Sequence, residues 1–181
     1  MHTELGPSNA TLTVHTGRAG MAAKAGHDLL LVASRWSGSL TLEPEDGARS
    51  QLALTVDATG LEVREGTGGV KPLTDGDRAE IKGNIAKKVL QTDRHPEIAF
   101  VSRTIEPAPN GAHAVIGDLT VAGTTRPVRF QLDVEPGADG TTLRAAVAID
   151  QSDFGIKPYT ALMGALKVAD RVEIRAEARV L

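Results

Sequence analysis

The sequence contains no cysteine. That excludes disulfides, thiolate catalysis and cysteine-ligated metal together. No apolar run reaches the roughly 18 residues that a membrane-spanning helix requires. A strong charge of either sign is also missing: the formal net charge is −3 and the isoelectric point about 5.9. The charges alternate along the chain instead of gathering into a basic patch, which speaks against nucleic acid as a partner. The start, Met1-His2-Thr3-Glu4-Leu5-Gly6-Pro7, lacks the basic and then apolar regions of a secretory signal, so a cytoplasmic protein is expected. Aromatic residues are scarce, at 3% of the chain, with one Trp, one Tyr and three Phe. An interior built mostly from Ala, Val and Leu must pack its backbone closely or leave space, since protein interiors are otherwise filled to crystal-like density.

What the chain does have is alternation. Val172, Ile174, Ala176, Ala178 and Val180 fall on one parity, and Arg171, Glu173, Arg175, Glu177 and Arg179 on the other. Val128, Phe130, Leu132 and Val134 likewise interleave with Arg129, Gln131 and Asp133. Side chains of a strand point to opposite faces in turn, so each segment has one apolar and one charged face. Such strands belong to antiparallel sheets with a single wet side. Strand-like stretches are 10–16, 27–35, 37–43, 51–57, 97–104, 112–122, 126–135, 141–150 and 170–180. Turn residues separate them at Glu43-Pro44-Glu45-Asp46-Gly47, Pro109-Asn110-Gly111, Gly123-Thr124-Thr125 and Pro136-Gly137-Ala138-Asp139-Gly140. Gly66-Thr67-Gly68-Gly69 reads as the most mobile loop. The length of 181 residues suits one domain, spanning 1–181, and the fold expected is all-β, an eight-stranded antiparallel barrel.

One stretch has a different period. From Asp77 to Gln91, Ile81, Ile85 and Val89 recur every four residues, opposite Lys82, Asn84, Lys87 and Lys88. This predicts an amphipathic helix packed against the sheet, with Asp77 and Glu80 as its capping pair. A second short helix or an ordered loop is expected over 158–167.

Residues that could carry chemistry are few. Asp153-Phe154-Gly155 matches the magnesium-binding tripeptide of protein kinases, but no glycine-rich nucleotide loop or His-Arg-Asp segment accompanies it. His15, His27 and Asp28 could together hold a metal, and a metal-assisted hydrolase using them is the alternative to a binding protein. Their more common use is to satisfy backbone groups at strand ends. No Gly-x-Ser-x-Gly elbow is present, and the carboxylates lie on the wet parity. A third reading is a barrel with a filled interior that acts through its surface.

The order of landmarks is specific. His15-Thr16-Gly17 is followed by Gly26-His27-Asp28-Leu29 and Trp36-Ser37-Gly38-Ser39-Leu40. After the helix come His95-Pro96-Glu97-Ile98-Ala99-Phe100, Gly117-Asp118-Leu119-Thr120-Val121 with Gly123-Thr124-Thr125, and Asp153-Phe154-Gly155-Ile156. Over nearly its whole length this sequence resembles the YceI-like family, lipocalin-like bacterial proteins that bind polyisoprenoids and related amphiphiles. The resemblance implies a barrel around an elongated apolar pocket, non-catalytic binding of a polyisoprenoid or other long-chain amphiphile, no cofactor, and often a homodimer. From the inward parity, the pocket lining expected is Leu52, Leu54, Phe130, Leu132, Ala145, Val147, Ile174 and Ala176. Trp36, Phe100, Phe154, Ile156, Tyr159 and Met163 are expected to close its ends. Eight strands enclose just enough room for one small ligand.

Overall fold

The computed structural model describes residues 1–43 and 49–181, so the turn expected at 43–47 lies, but for Glu43, outside the described residues. In chain order the elements are β1 (His2–Leu5), β2 (Ala10–His15), β3 (Arg18–Ala19), β4 (His27–Ala33), β5 (Trp36–Thr41), β6 (Gln51–Asp57) and β7 (Leu61–Gly68). The helix α1 (Asp75–Asn84) follows, and then β8 (Glu97–Pro107), β9 (His113–Val121), β10 (Thr124–Gly137), β11 (Gly140–Asp150), β12 (Thr160–Ala161), β13 (Leu166–Val168) and β14 (Arg171–Val180). Eleven strands form one antiparallel sheet in the order β1-β5-β6-β8-β9-β10-β11-β14-β2-β4-β7, while β12, β13 and β3 make a small second sheet.

The large sheet closes through a shared bend. Ala33, the last residue of β4, pairs with Leu61, and Trp36, the first of β5, pairs with Val56. Between them Ser34 N–H donates to Gly60 O at 2.8 Å and Asp57 N–H to Arg35 O at 3.0 Å. Thus β4 runs on into β5 and β6 into β7 around one corner. Eight segments then ring the interior, β2, β4/β5, β6/β7, β8, β9, β10, β11 and β14, each paired with the next, and β1 continues the β2 side of the ring along β5. The all-β barrel expected from alternation is present, with more strands than eight. The corner splits two of them, and β1, β3, β12 and β13 are too short for a period of two to show. Strand β7 was missed because Gly66 and Gly68 weaken its pattern. The loop expected at 66–69 is in fact the end of this strand, with Gly66, Thr67 and Gly68 paired to Leu29, Asp28 and His27.

One end of the barrel is solid. Leu40, Ile105 and Val115 are fully buried there, with Leu132, Leu143, Ala178 and Val180 packed around them. Toward the other end the same inward parity carries Val14, Leu29, Leu54, Phe130, Val147 and Ile174, all only half-buried. Outward positions make ion pairs such as Arg144–Glu177 at 3.0 Å. Exposed pairs of this kind contribute little beyond reinforcing which face is wet.

The helix begins two residues earlier than expected. Thr74, not Asp77, is the N-cap: its hydroxyl accepts from Asp77 N–H at 3.1 Å, and Asp77 Oδ2 accepts from Thr74 N–H at 2.9 Å. The bond from Thr74 N–H, followed by one from the Thr74 hydroxyl to Oδ2 at 2.9 Å, holds the Asp77 carboxyl below its ordinary value. After Asn84 the chain winds one π turn, Ile85–Val89. Residues four apart advance about 40° around an α-helix, and the wider π turn winds that drift back. Ile81, Ile85 and Val89 consequently stay on one side, facing the barrel. Arg78 donates to the carbonyls of Val63 and Arg64, and Lys82 Nζ meets Glu62 Oε1 at 2.5 Å, which fixes the helix over β7. Over 158–167 the chain forms the ordered loop of the two alternatives, with a short 3-10 turn at Leu162–Gly164 joining β12 to β13.

The corner carries its own electrostatics. Arg35 Nε donates to Asp57 Oδ2 at 2.8 Å, while the Thr59 N–H and hydroxyl donate to Oδ1 at 2.8 and 2.6 Å. The Arg35 hydrogen bond, followed by those from Thr59, lowers the Asp57 carboxyl from its ordinary 3.8 to about 2. A carboxylate depressed in the folded state adds stability above its unfolded value, and that share is lost as pH falls through the folded one. We predict that the Asp57→Asn variant loses less melting temperature than the parent between pH about 4 and about 2, measured by thermal unfolding.

Candidate functional site

The half-buried inward residues surround a cavity of about 450 Å³ that opens toward α1 and the small sheet. Small side chains make the room. Ala145 on β11 pairs with Ala176 on β14, one step from Val147 opposite Ile174. On the far wall Phe100 and Phe130 lie with ring centroids 5.4 Å apart at 55°. The Phe100 ring fits because Gly117 faces it: a Cβ there would come within 2.5 Å of Phe100 Cζ. The Trp36 indole Nε1 is buried in this wall without a hydrogen-bond partner among the described residues.

The wall is apolar and the rim is not. Thr16, Arg18, His27, Asn84, Tyr159 and Lys167 border the cavity at its open end. Arg18 is pinned there, Nε to Asp28 Oδ1 at 3.1 Å and Nη1 to Gly26 O at 3.0 Å. His27 donates from Nε2 to Lys71 O at 2.7 Å, tying the start of β4 to the segment before the helix.

Of the residues nominated from sequence, Trp36, Leu52, Leu54, Phe100, Phe130, Leu132, Ala145, Val147, Ile156, Tyr159, Ile174 and Ala176 border this cavity. Two do not. Met163 is fully exposed, because the backbone turns left-handed at Leu162 and Met163 and throws both side chains outward. Phe154 is buried but sits outside the cavity. Pairing of β10 with β11 stops at Gln131 and Ala146, so the ends Thr124–Phe130 and Val147–Asp150 splay apart. Phe154 packs beside this split, on the short turn Gln151–Phe154.

Several lining residues were missed. Leu12, Val14, Leu29 and Leu31 share the inward parity of stretches already read as strands, and that period could have found them. Ile81, Ile85 and Val89 form the apolar stripe expected to pack against the sheet, and were not assigned to the lining. For Leu166 and Val168 the sequence gives no signal. The candidate metal ligands are not brought together. His15 lies on the outward parity of β2, where it meets Thr13 Oγ1 at 3.2 Å, and Asp28 is outward on β4. His27 lies on the inward parity. Among the described residues no group of three or more potential ligands is placed to hold a metal ion.

A profile of the YceI-like domain matches residues 7–180. The chain belongs to the YceI-like family. Solved structures with the same fold include BcnA of Burkholderia cenocepacia, at 18% identity and a TM-score of 0.72, with 95% of this chain and 96% of that chain covered. A YCEI protein of Campylobacter jejuni aligns at 15% identity and a TM-score of 0.62, covering 83% and 82%. A domain of Saccharophagus degradans described as polyisoprenoid binding and implicated in plant cell wall breakdown aligns at 10% identity and a TM-score of 0.63, covering 99% and 98%. No curated protein matches the sequence at significance. Among the described residues no helix of this family member is long and apolar enough to cross a membrane.

Two substitutions separate cavity from core. Ala176→Trp places an indole in open space, so the protein stays folded and ligand retention is lost; in a filled core the same change destabilises by about 1–3 kcal/mol. Phe154→Ala lowers stability by about 3–5 kcal/mol while ligand retention in the folded fraction stays near the parent. Thermal unfolding and mass spectrometry of bound material check both.

Proposed function

We propose that this protein is a non-catalytic carrier or store that buries a long apolar amphiphile of the polyisoprenoid class inside the barrel. The observation that carries this reading is the cavity of about 450 Å³, blind at one end and bordered by aliphatic and aromatic side chains. Pockets for small ligands commonly span about 300–1,000 Å³. The Saccharophagus degradans domain, which shares the fold, supports the choice of ligand class.

The mechanism is burial. Each methylene removed from water contributes about 0.8 kcal/mol, offset by the chain freedom the ligand loses. The solid end around Leu40, Ile105 and Val115 stops the tail, and the polar head lies among Thr16, Arg18, His27 and Lys167 at the rim. Helix α1 covers the side of the opening. The helical run Asp75–Val89 has no fully buried residue, so besides its polar ties to β7 it holds its place through the apolar stripe over the cavity.

Organic extraction of the purified protein followed by mass spectrometry tests the reading. A stoichiometric apolar amphiphile is expected, and a protein that neither carries one nor takes one up from solution overturns it. His27→Ala leaves retention within a few-fold of the parent, because the binding comes from apolar area. Stoichiometric zinc or iron in the parent, lost in that variant, would instead establish a metal site.

A further inference from the structure

We propose that the open end of the barrel docks on an anionic lipid bilayer, inserting the tips of three loops so that an apolar ligand passes between membrane and cavity without crossing water. The transfer step rests on the carrier reading; the docking does not.

Away from the chain ends the exposed large hydrophobic residues are Met21, Val70, Val101, Leu162 and Met163. Val101 stands alone on the barrel wall. The other four sit on the loops around the mouth, with Met21 98% and Met163 101% exposed. These loops are neighbours. Ala22 N–H donates to Ala165 O at 2.9 Å, β3 pairs with β13, and His27 bonds to Lys71 O. Their inner residues, among them Ala25, Gly26, Ala161 and Leu166, border the cavity. The same loops thus present apolar side chains inward to the ligand space and outward to solvent. An exposed apolar collar in a protein of this size marks a contact surface.

The most exposed tip is also strained. Leu162 and Met163 have φ of 49° and 54°, and Gly164 follows at 86°. Bulky residues rarely adopt positive φ, since Cβ crowds the backbone there. Asn or Gly would relax this turn and keep it polar. Instead two large apolar side chains are held in water where packing gives nothing in return.

Charge identifies the partner. The chain as a whole has 20 Lys and Arg against 23 Asp and Glu. Yet segments 16–27, 66–74, 81–91 and 155–169, which make the mouth and its helical cover, contain no Asp or Glu at all. They carry Arg18, Lys24, Lys71, Lys157 and Lys167, with Lys82, Lys87 and Lys88 on the helix. Arg18 and Lys82 are held by Asp28 and Glu62, and Lys88 stands 5.6 Å over the Tyr159 ring. Of the acids that flank these segments, Asp28 is bound by Arg18, Asp77 caps the helix and Asp170 accepts from Ser152. Glu65 before the segment 66–74, Asp75 and Glu80 on the first turns of α1, Asp93 after the helix and Asp153 before Gly155 remain exposed. Lysines around apolar tips suit a bilayer with anionic headgroups, the stems buried among lipids and the ammonium groups at the phosphates. Protein interfaces are instead depleted in Lys, whereas Lys24, Lys71, Lys157 and Lys167 lie on the segments that carry these tips.

The test is flotation of the purified 181-residue chain with vesicles of phosphatidylcholine alone, and with about one quarter phosphatidylglycerol added. The parent is expected to float with the anionic vesicles about tenfold more than with the neutral ones, severalfold less at about 0.5 M than at about 0.1 M salt. The variant Met21→Gln/Leu162→Asn/Met163→Asn is expected to lose that binding by about tenfold, and its fold is safe because Asn accepts positive φ. Val101→Thr floats like the parent. Uptake of a fluorescent long-chain probe from solution is measured alongside and stays unchanged in the triple variant. A parent that floats with neither vesicle, or equally with both, overturns the proposal. So does a triple variant that floats as well as the parent. A parent that is dimeric and does not float, made monomeric by the triple variant, assigns the collar to a second copy of the chain and also overturns it. Probe uptake without flotation leaves the carrier reading standing and sinks the docking; flotation without probe uptake does the reverse.

Discussion

The width of the barrel is set by backbone hydrogen bonding, and side chains must accept the space it leaves. Neighbouring strands lie about 4.8 Å apart whatever residues they carry, so a ring of eight paired segments encloses a fixed cross-section. What fills it is decided position by position along the inward parity. At one end Ile105 and Val115, side by side on β8 and β9, are buried with Leu42 and Val180 outside the cavity. Toward the other, Ala145 faces Ala176 across adjacent strands, and the gap between opposite walls stays open. The cavity is the difference between a circumference fixed by the backbone and side chains too small to span it.

That constraint explains how the few large residues are used. Phe100 and Phe130 take one wall, where Gly117 supplies the space for the Phe100 ring. Trp36 stands at the corner where β4 becomes β5 and the sheet turns through its sharpest bend. Phe154 serves the wall itself, packing beside the place where β10 and β11 separate. These four are spent on a fault in the barrel or on its lining, and Tyr159, in the loop before β12, borders the cavity at its rim beneath Lys88.

Closure of the open end follows a different logic. The strand ends there leave the apolar cavity open to water, and the fold covers it with α1 and the small β12-β13-β3 sheet. Both covers are anchored by polar contacts at their margins, through Arg78 and Lys82 for the helix and through Arg18 and His27 for the loops. Their apolar residues face the cavity and not a packed core. The solid end and the corner at Arg35 and Asp57 carry the fold, while the covers depend on what they enclose.

The sequence by itself determined the class of fold, because a period of two is a local property that each long strand displays without knowing its neighbours. It also determined most of the inward face: Leu132, Ala145, Ile174 and Ala176 could be assigned from parity alone. The four-residue spacing of Ile81, Ile85 and Val89 even held the signature of a helix wound wider than α, although it was read as an ordinary one. Tertiary structure decided the rest. Whether Phe154 lines a cavity depends on where β10 and β11 part, and whether Met163 is covered depends on two left-handed residues in a turn. Neither has a periodicity to read. His27 is next to Asp28 in sequence, yet the sheet separates it from both Asp28 and His15, because adjacent positions in a strand face opposite ways and only pairing fixes which way is in. The convergence of three loops into one apolar and basic collar arises from contacts between residues more than a hundred positions apart, such as Ala22 with Ala165, and no local pattern encodes it.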